Sequence, residues 1–191
     1  MVEIRLKYLL FLMSILLLAA VGFIWSSSSF NACATCYPDK PTMSPGYIMQ
    51  SPCGSTAAEA RDRGCNFDIM SFCWLPDNCY DAELSEDFEN ISSWEWFLDP
   101  NKSQPVAYDE VIKGELTGLY VSWEYHLRHC TAMWKKMHRA VLGKGKIAVD
   151  SYIGDLGHTE HCGHQLLEDR DVGFDEINTA IFIKFPDCGI V

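Results

Sequence analysis

The 191-residue sequence is poor in basic residues, with 15 lysines and arginines against 26 aspartates and glutamates, and its formal net charge is −11. A surface of this charge repels phosphates, which argues against a nucleic-acid partner and favours a basic or neutral one. No GxSxG motif is present, and the segment from Gly143 to Lys146 lacks the spacing of a phosphate-binding loop. The sequence therefore offers neither the serine nucleophile of a hydrolase nor a nucleotide-binding loop.

Charge is also absent from residues 8–25, which form one apolar run. As a helix this run would rise about 27 Å, close to the roughly 30 Å hydrocarbon core of a bilayer. Arg5 and Lys7 precede it, so the positive-inside rule predicts a cytosolic tail at 1–7, a transmembrane anchor at 8–25 and a lumenal or extracellular remainder, placed there through the secretory pathway. A signal peptide cleaved near residues 32–34 is the alternative, and it delivers the same domain to the same compartment.

The rest of the chain is organised simply. Residues 26–52 are rich in serine, proline and threonine without periodicity, so we expect a stalk there and a folded domain at 53–191. The pattern predicts a serine-capped helix at 55–63, a helix at 122–142, and strands at 94–98 and 179–185. In the second helix Lys136 is expected to face solvent, opposite an apolar stripe that ends at Val141. The expected fold class is α+β, mainly helical: one small disulfide-bearing domain behind a transmembrane helix.

Nine cysteines lie outside the apolar run. This density in a domain carried into an oxidising compartment predicts disulfides of open connectivity, and the odd number leaves at least one thiol free, metal-bound or paired with another chain. Cys33 and Cys36 have the spacing of a redox motif, but their surroundings favour a local bridge or an intermolecular pair. Asn90 and Asn101 begin Asn-x-Ser sequons and are predicted glycosylation sites.

Histidine is absent outside residues 126–164, and four of the six histidines belong to a repeated His-x-x-His-Cys pattern. The two copies are His126, His129 and Cys130, and His158, His161 and Cys162. Two imidazoles three residues apart on a helix can bind one cation, and two facing pairs would provide four nitrogen donors. The four histidines are therefore predicted metal ligands, with copper(II) as the favoured ion and zinc as the alternative.

The role of the motif cysteines stays open at this point. Cys130 and Cys162 either bridge each other or complete the ligand shell, and Asp155, Glu160 or His164 is expected to orient a ligand. The competing interpretation is that the histidines are partly buried and satisfied by hydrogen bonds, with the two cysteines as a structural bridge.

Paired HxxHC motifs behind a single N-terminal anchor resemble the fungal UstYa-like family. The resemblance covers most of residues 50–191 and implies oxidative tailoring of secondary metabolites, including cyclisation of ribosomally made peptides and, in some members, copper-dependent oxidation or halogenation. What carries over by residue is limited to the four histidines and two cysteines of the motifs. Residues 57–68, 74–76 and 79–84 also resemble a signature of small fungal membrane proteins of unassigned role.

The expected function is that of a membrane-anchored oxidase with a histidine-bound copper centre, acting on a peptide or a small secondary metabolite. A non-catalytic ectodomain held by disulfides is the alternative. It would act in protein assembly or recruit a partner through Trp94, Trp96 and the acidic loop 83–89. Either protein could form a homo- or hetero-oligomer.

Overall fold

The computed structural model describes residues 48–144, 148–168 and 171–189, which belong to one compact unit, Ser44–Val191. The described helices are α1 Ala57–Asp62, α2 Ala82–Glu89, α3 Tyr108–Val111, α4 Trp123–Val141 and α5 Leu156–Glu168. The described strands are β1 Ile48–Met49, β2 Asn66–Asp68, β3 Cys73–Leu75, β4 Trp96–Phe97, β5 Pro105–Val106, β6 Leu119–Ser122, β7 Val149–Asp150, β8 Ile177–Ile181 and β9 Cys188–Gly189. With 19 residues, α4 is much longer than any of these strands and organises the core.

The strands form three small antiparallel sheets. Their orders are β5-β4-β6-β8, β1-β9-β7 and the hairpin β2-β3. Strand β8 aligns Thr179 with Val121 of β6, and the register shifts between Val121 and Ser122, where α4 is about to begin. The backbone N–H of Trp123 then donates to the carbonyl of Glu176 at 2.8 Å. The sheet thus places β8 beside the first turn of α4.

Helix α4 forms where the sequence predicts it. Ser122 accepts a hydrogen bond from the Tyr125 backbone N–H at 3.1 Å, which satisfies one donor of the first turn. Gly143 follows the helix at a φ of 63°, a conformation that glycine adopts without strain. The prediction of a helix at 122–142 is confirmed, whereas α1 is shorter than predicted and its cap is Thr56.

The main core lies under α4. The Tyr125 side chain is 2% exposed, packs edge-on against Phe88 and Trp94, and donates its hydroxyl hydrogen to the Ile69 carbonyl. Trp94 stacks on Phe88 with 5.0 Å between ring centroids, and Trp96 is buried. The two tryptophans expected to recruit a partner are therefore part of the core, and the expected acidic loop at 83–89 is helical.

Three disulfides tie the domain together, which confirms the prediction of a disulfide-bearing domain. They join Cys53 to Cys65, Cys79 to Cys188 and Cys130 to Cys162. Cys73 is the free cysteine of the described part of the chain. Burial raises the pKa of its thiol to about 12, so this thiol is not a reactive nucleophile.

The expectation of a mainly helical fold is wrong. The described residues form a mixed α+β domain in which nine strands build three sheets. Each strand has only two to five residues, so most are too short to show the alternation by which a strand is recognised in a sequence.

The expected membrane topology is also corrected. Across the three described ranges, no helix is long and apolar enough to cross a membrane. The predicted anchor at 8–25, the tail at 1–7, and Cys33 and Cys36 fall outside those ranges. The structure therefore does not support the expected single-pass localisation with a lumenal or extracellular domain.

Lys136 departs most clearly from its expected position. It is 4% exposed, and its Nζ lies 2.9 Å from Asp150 Oδ2 and 3.6 Å from Asp68 Oδ2, whereas Val141 is 71% exposed. Burial lowers the pKa of Lys136, but the two carboxylates outweigh burial and raise it above its ordinary value. Lys136 thus occupies part of the core-facing surface of α4, and the buried surface does not extend to Val141 as predicted.

Replacing Lys136 with methionine should lower the free energy of unfolding by about 3–5 kcal/mol, because Asp68 and Asp150 would become uncompensated buried charges. Urea denaturation measures this loss. Lys135→Met removes the same charge from the exposed neighbouring position of α4 and should change the free energy by no more than about 0.5 kcal/mol. Equal losses in the two variants would contradict the role given to the buried network.

The disulfides should differ in their contribution to stability. Cys79 and Cys188 are 109 residues apart in sequence, whereas Cys53 and Cys65 are 12 apart. In the chain-entropy description, replacing the first pair with alanines should cost about 2 kcal/mol more than replacing the second. Urea unfolding of the two double variants tests this order, and a larger loss for the short loop would reverse it.

Candidate functional site

The two HxxHC motifs lie on different helices that a disulfide joins. The first motif is in the first half of α4 and the second is in α5, and Cys130 and Cys162 bridge them with 5.3 Å between Cα atoms. Both cysteines are fully buried. The two cysteines were expected either to bridge each other or to complete the ligand shell, and the structure shows the bridge.

The histidines pair across this bridge. His126 Nε2 lies 3.2 Å from His161 Nε2, and His129 Nε2 lies 3.3 Å from His158 Nε2. The pairing is reciprocal, since the first histidine of each motif meets the second histidine of the other. This is the arrangement expected when two like motifs are related by an approximate two-fold axis near the disulfide.

These separations suit metal ligands. Two nitrogens bound to one ion at about 2.0–2.1 Å are separated by roughly 3 Å when the angle at the metal is near 90–110°. However, the part of the chain that the structure describes contains no group of three or more His, Cys, Asp or Glu side chains arranged to hold a metal ion. The structure thus brings the four predicted ligands together as two pairs, with 6.4 Å between the ring centroids of His126 and His129.

Hydrogen bonds made by Nδ1 fix the tautomer of two of the imidazoles, His126 and His129. His129 Nδ1 lies 2.7 Å from the Met70 carbonyl, which can only accept, so Nδ1 carries the proton. His126 Nδ1 lies 3.1 Å from Thr179 Oγ1, whose hydroxyl already donates to the Asn178 side chain at 2.9 Å. Both rings consequently present an Nε2 lone pair to the facing histidine, which is the tautomer that a metal ligand needs.

The electrostatics of the site keep these rings neutral. Burial, followed by the neighbouring His161 and His158, lowers the pKa of His126 to about 4. Burial also lowers the pKa of His129, to about 3, against the opposing effect of the Met70 carbonyl. The pKa of His158 is lowered mainly by burial. At neutral pH these three side chains are therefore uncharged and able to accept a proton or a metal ion.

A cavity of about 530 Å³ opens beside the pairs, within the range of small-molecule sites. Its apolar wall is formed by Met70, Phe72, Trp123, Ile181 and Phe182. Tyr152 lies at the pairs, with its hydroxyl 3.5 Å from His129 Nε2 and its ring centroid 4.2 Å from that of His158. Lys184 lines the same space. Neither Tyr152 nor Lys184 belongs to a motif, so sequence reasoning had no signal by which to find them.

Of the residues expected to orient a ligand, Asp155 is close enough to His158 for its charge to raise the pKa of that imidazole, against the larger effect of burial. Asp155 accepts a hydrogen bond from the Gly157 backbone N–H at 2.9 Å, which places its carboxylate at the start of α5. Glu160 is exposed. Asn90 and Asn101, the predicted glycosylation sites, are exposed as well.

Comparison with known proteins gives a distant match. Over 139 residues the chain is 27% identical to phomopsin biosynthesis cluster protein B′ and, equally, to phomopsin biosynthesis cluster protein B, both of Diaporthe leptostromiformis. The match covers 66% of this chain and 40% of each of those proteins, so the chain spans less than half the length of the curated relatives it matches. No family model and no solved structure matches. The chain is thus distantly similar to proteins of a fungal biosynthesis cluster.

Acidification should destabilise the metal-free protein between about pH 6.5 and pH 4. In this range the unfolded state binds protons that the buried imidazoles of the native state reject, so the free energy of unfolding falls as the pH falls. For His129 alone the loss is on the order of 3 kcal/mol. Urea unfolding at a series of pH values, with a chelator present, measures it.

His129→Asn is the informative variant here, because its amide can still donate to the Met70 carbonyl but does not titrate. It should flatten the pH dependence, whereas His138→Asn, at an exposed position of α4, should keep the wild-type slope. An unchanged slope in His129→Asn would show that this imidazole is not held neutral by the fold.

Proposed function

We propose that this domain binds copper between its two histidine pairs and acts as an UstYa-like oxidase that tailors a peptide or a small secondary metabolite. The observation that supports this most directly is the approach of His126 to His161 and of His129 to His158, with 3.2 and 3.3 Å between Nε2 atoms. All four imidazoles also line one cavity, which the disulfide between the motifs does not by itself require.

The donor set fits copper better than a hard cation. The pairs offer imidazole nitrogens as donors, whereas magnesium and calcium prefer oxygen ligands. Imidazole suits both copper and zinc, and the general order of affinities places copper(II) above zinc, so zinc remains the alternative. The motif cysteines are linked to each other and do not offer thiolates.

The protein's own groups would position the ligands and the substrate. His126, His129, His158 and His161 would hold the ion, while the Met70 carbonyl and Thr179 fix the orientation of two of the rings. A bound copper ion would supply one-electron and oxygen chemistry that amino-acid side chains lack.

Tyr152 places a phenol beside the pairs. Its pKa is raised, chiefly by burial, so the hydroxyl keeps its proton at neutral pH. The hydroxyl lies 3.5 Å from His129 Nε2 and beside the cavity. Tyr152 is thus placed to hold a proton next to a bound substrate.

The comparisons support the metabolic setting. The distant relatives are named as products of a phomopsin biosynthesis cluster, and the match covers about two thirds of this chain. We therefore assign the proposed oxidation to fungal secondary metabolism, with a peptide or a small metabolite in the cavity.

Copper retention tests the proposal. The full chain, loaded with copper(II) and dialysed, should retain about one copper per chain by elemental mass spectrometry, with nitrogen couplings in its electron paramagnetic resonance spectrum. His126→Ala combined with His158→Ala removes one imidazole from each pair, and retention should then be lost. His138→Ala, at an exposed position of α4, should retain copper as the wild type does.

Two outcomes would count against this model. Copper retained by the double variant would show that the ion binds elsewhere. Zinc retained in preference to copper would select the alternative ion and remove the oxidase function. A further measurement is metabolite profiling of source cells that carry the double variant, which should accumulate an unoxidised precursor.

A further inference from the structure

The charge of the cavity is opposite to that of the protein. The whole chain has 26 acidic residues and a net charge of −11. Yet the residues that line the cavity beside the histidine pairs include no aspartate and no glutamate, and their one lysine or arginine is Lys184. Burial lowers the pKa of Lys184, so its ammonium is stabilised by a negative charge placed beside it. Because no carboxylate lines it, the cavity is suited to an anion.

Lys184 is held in place without a carboxylate partner. Its Nζ donates to the Phe182 carbonyl at 2.9 Å and lies 4.3 Å from the centroid of the Tyr152 ring. Its backbone is fixed too, because the N–H donates to the Phe72 carbonyl and the carbonyl accepts from the Trp74 N–H. Within the described ranges no carboxylate forms an ion pair with Lys184.

Lys136 and Lys184 differ in the groups that surround their ammonium groups. Lys136, the other lysine in the interior, is met by the carboxylates of Asp68 and Asp150. Lys184 is partly buried, and among the described residues its ammonium group hydrogen-bonds to a carbonyl and lies over an aromatic face. Since an ammonium has three N–H donors, Lys184 keeps donors for a ligand in the cavity. A charged donor that lacks a counter-ion in a ligand-sized cavity indicates that the ligand is negatively charged.

We propose that Lys184 binds a carboxylate of the substrate and so makes the cavity selective for molecules that combine an apolar body with one carboxylate. The apolar wall contributed by Phe72, Trp123 and Phe182 takes the body of such a molecule. A single ammonium suits a carboxylate better than a phosphate, for which proteins usually gather arginines or several backbone N–H groups. This inference rests on the proposed function only in that it places the substrate in the same cavity.

Calorimetric titration of the chelator-treated full chain tests the inference without any metal. The probes are 3-phenylpropionate with its amide, and N-acetylphenylalanine with its amide, because the carboxylate could come from a simple organic acid or from a peptide C-terminus. In at least one pair the acid should bind about ten- to hundredfold more tightly than the amide. The pair with the larger ratio identifies the source of the carboxylate.

Variants connect this preference to Lys184. Lys184→Met should abolish the difference between acid and amide, and Lys184→Arg should keep most of it. Lys135→Met removes one positive charge as well, at an exposed position of α4. It should leave the difference unchanged, which controls for the overall charge. Thermal unfolding of each variant establishes that it is folded, and the comparison of acid with amide in the wild type does not depend on any variant.

The possible outcomes separate this inference from the proposed function. Equal binding of acid and amide in both pairs would overturn it, and so would a preference that survives in Lys184→Met. Loss of copper binding with the acid preference intact would overturn the oxidase proposal alone. Copper binding without any acid preference would leave the metal centre and remove the role of Lys184.

Discussion

The charge of Lys136 underlies the geometry of the whole site. Its ammonium is the shared counter-charge of two buried carboxylates, and each carboxylate shapes a turn. Asp68 accepts the Met70 N–H, and the Met70 carbonyl is the group that orients His129. Asp150 accepts the Tyr152 N–H, and Tyr152 faces the histidine pairs. Lys136 does not line the cavity. It nevertheless supports two residues that do, because its removal would leave two buried carboxylates without a counter-charge.

The disulfide between α4 and α5 contributes a second constraint. It holds the Cα atoms of Cys130 and Cys162 5.3 Å apart. At this spacing the histidines on the two helices are brought into contact. Because each motif has one histidine a full turn before its cysteine and one directly before it, the contacts form as two reciprocal pairs. The bridge and the pairs are thus consequences of one repeated five-residue pattern.

Sequence reasoning identified what depends on local pattern and missed what depends on tertiary contacts. The cap and length of α4 and the helical setting of the first motif follow from nearby residues, so they could be predicted. The side of α4 that faces the core could not be predicted, because the burial of Lys136 depends on Asp68 and Asp150, which are distant in sequence. The short strands carry too little periodicity to be recognised, and the connectivity of the cysteines is not encoded in their spacing.

Lys184 and the histidine pairs also affect each other electrostatically. After burial and the neighbouring imidazoles, the Lys184 ammonium adds to the lowering of the pKa of His129 and His158. The Lys184 ammonium would also oppose a metal cation between the imidazoles, since both are positive charges in a partly desolvated space. A carboxylate bound at Lys184 would cancel that field and favour the cation. By thermodynamic linkage, a cation at the pairs would favour the carboxylate by an equal free energy. An anionic substrate and a histidine-bound metal ion would therefore strengthen each other's binding in this cavity.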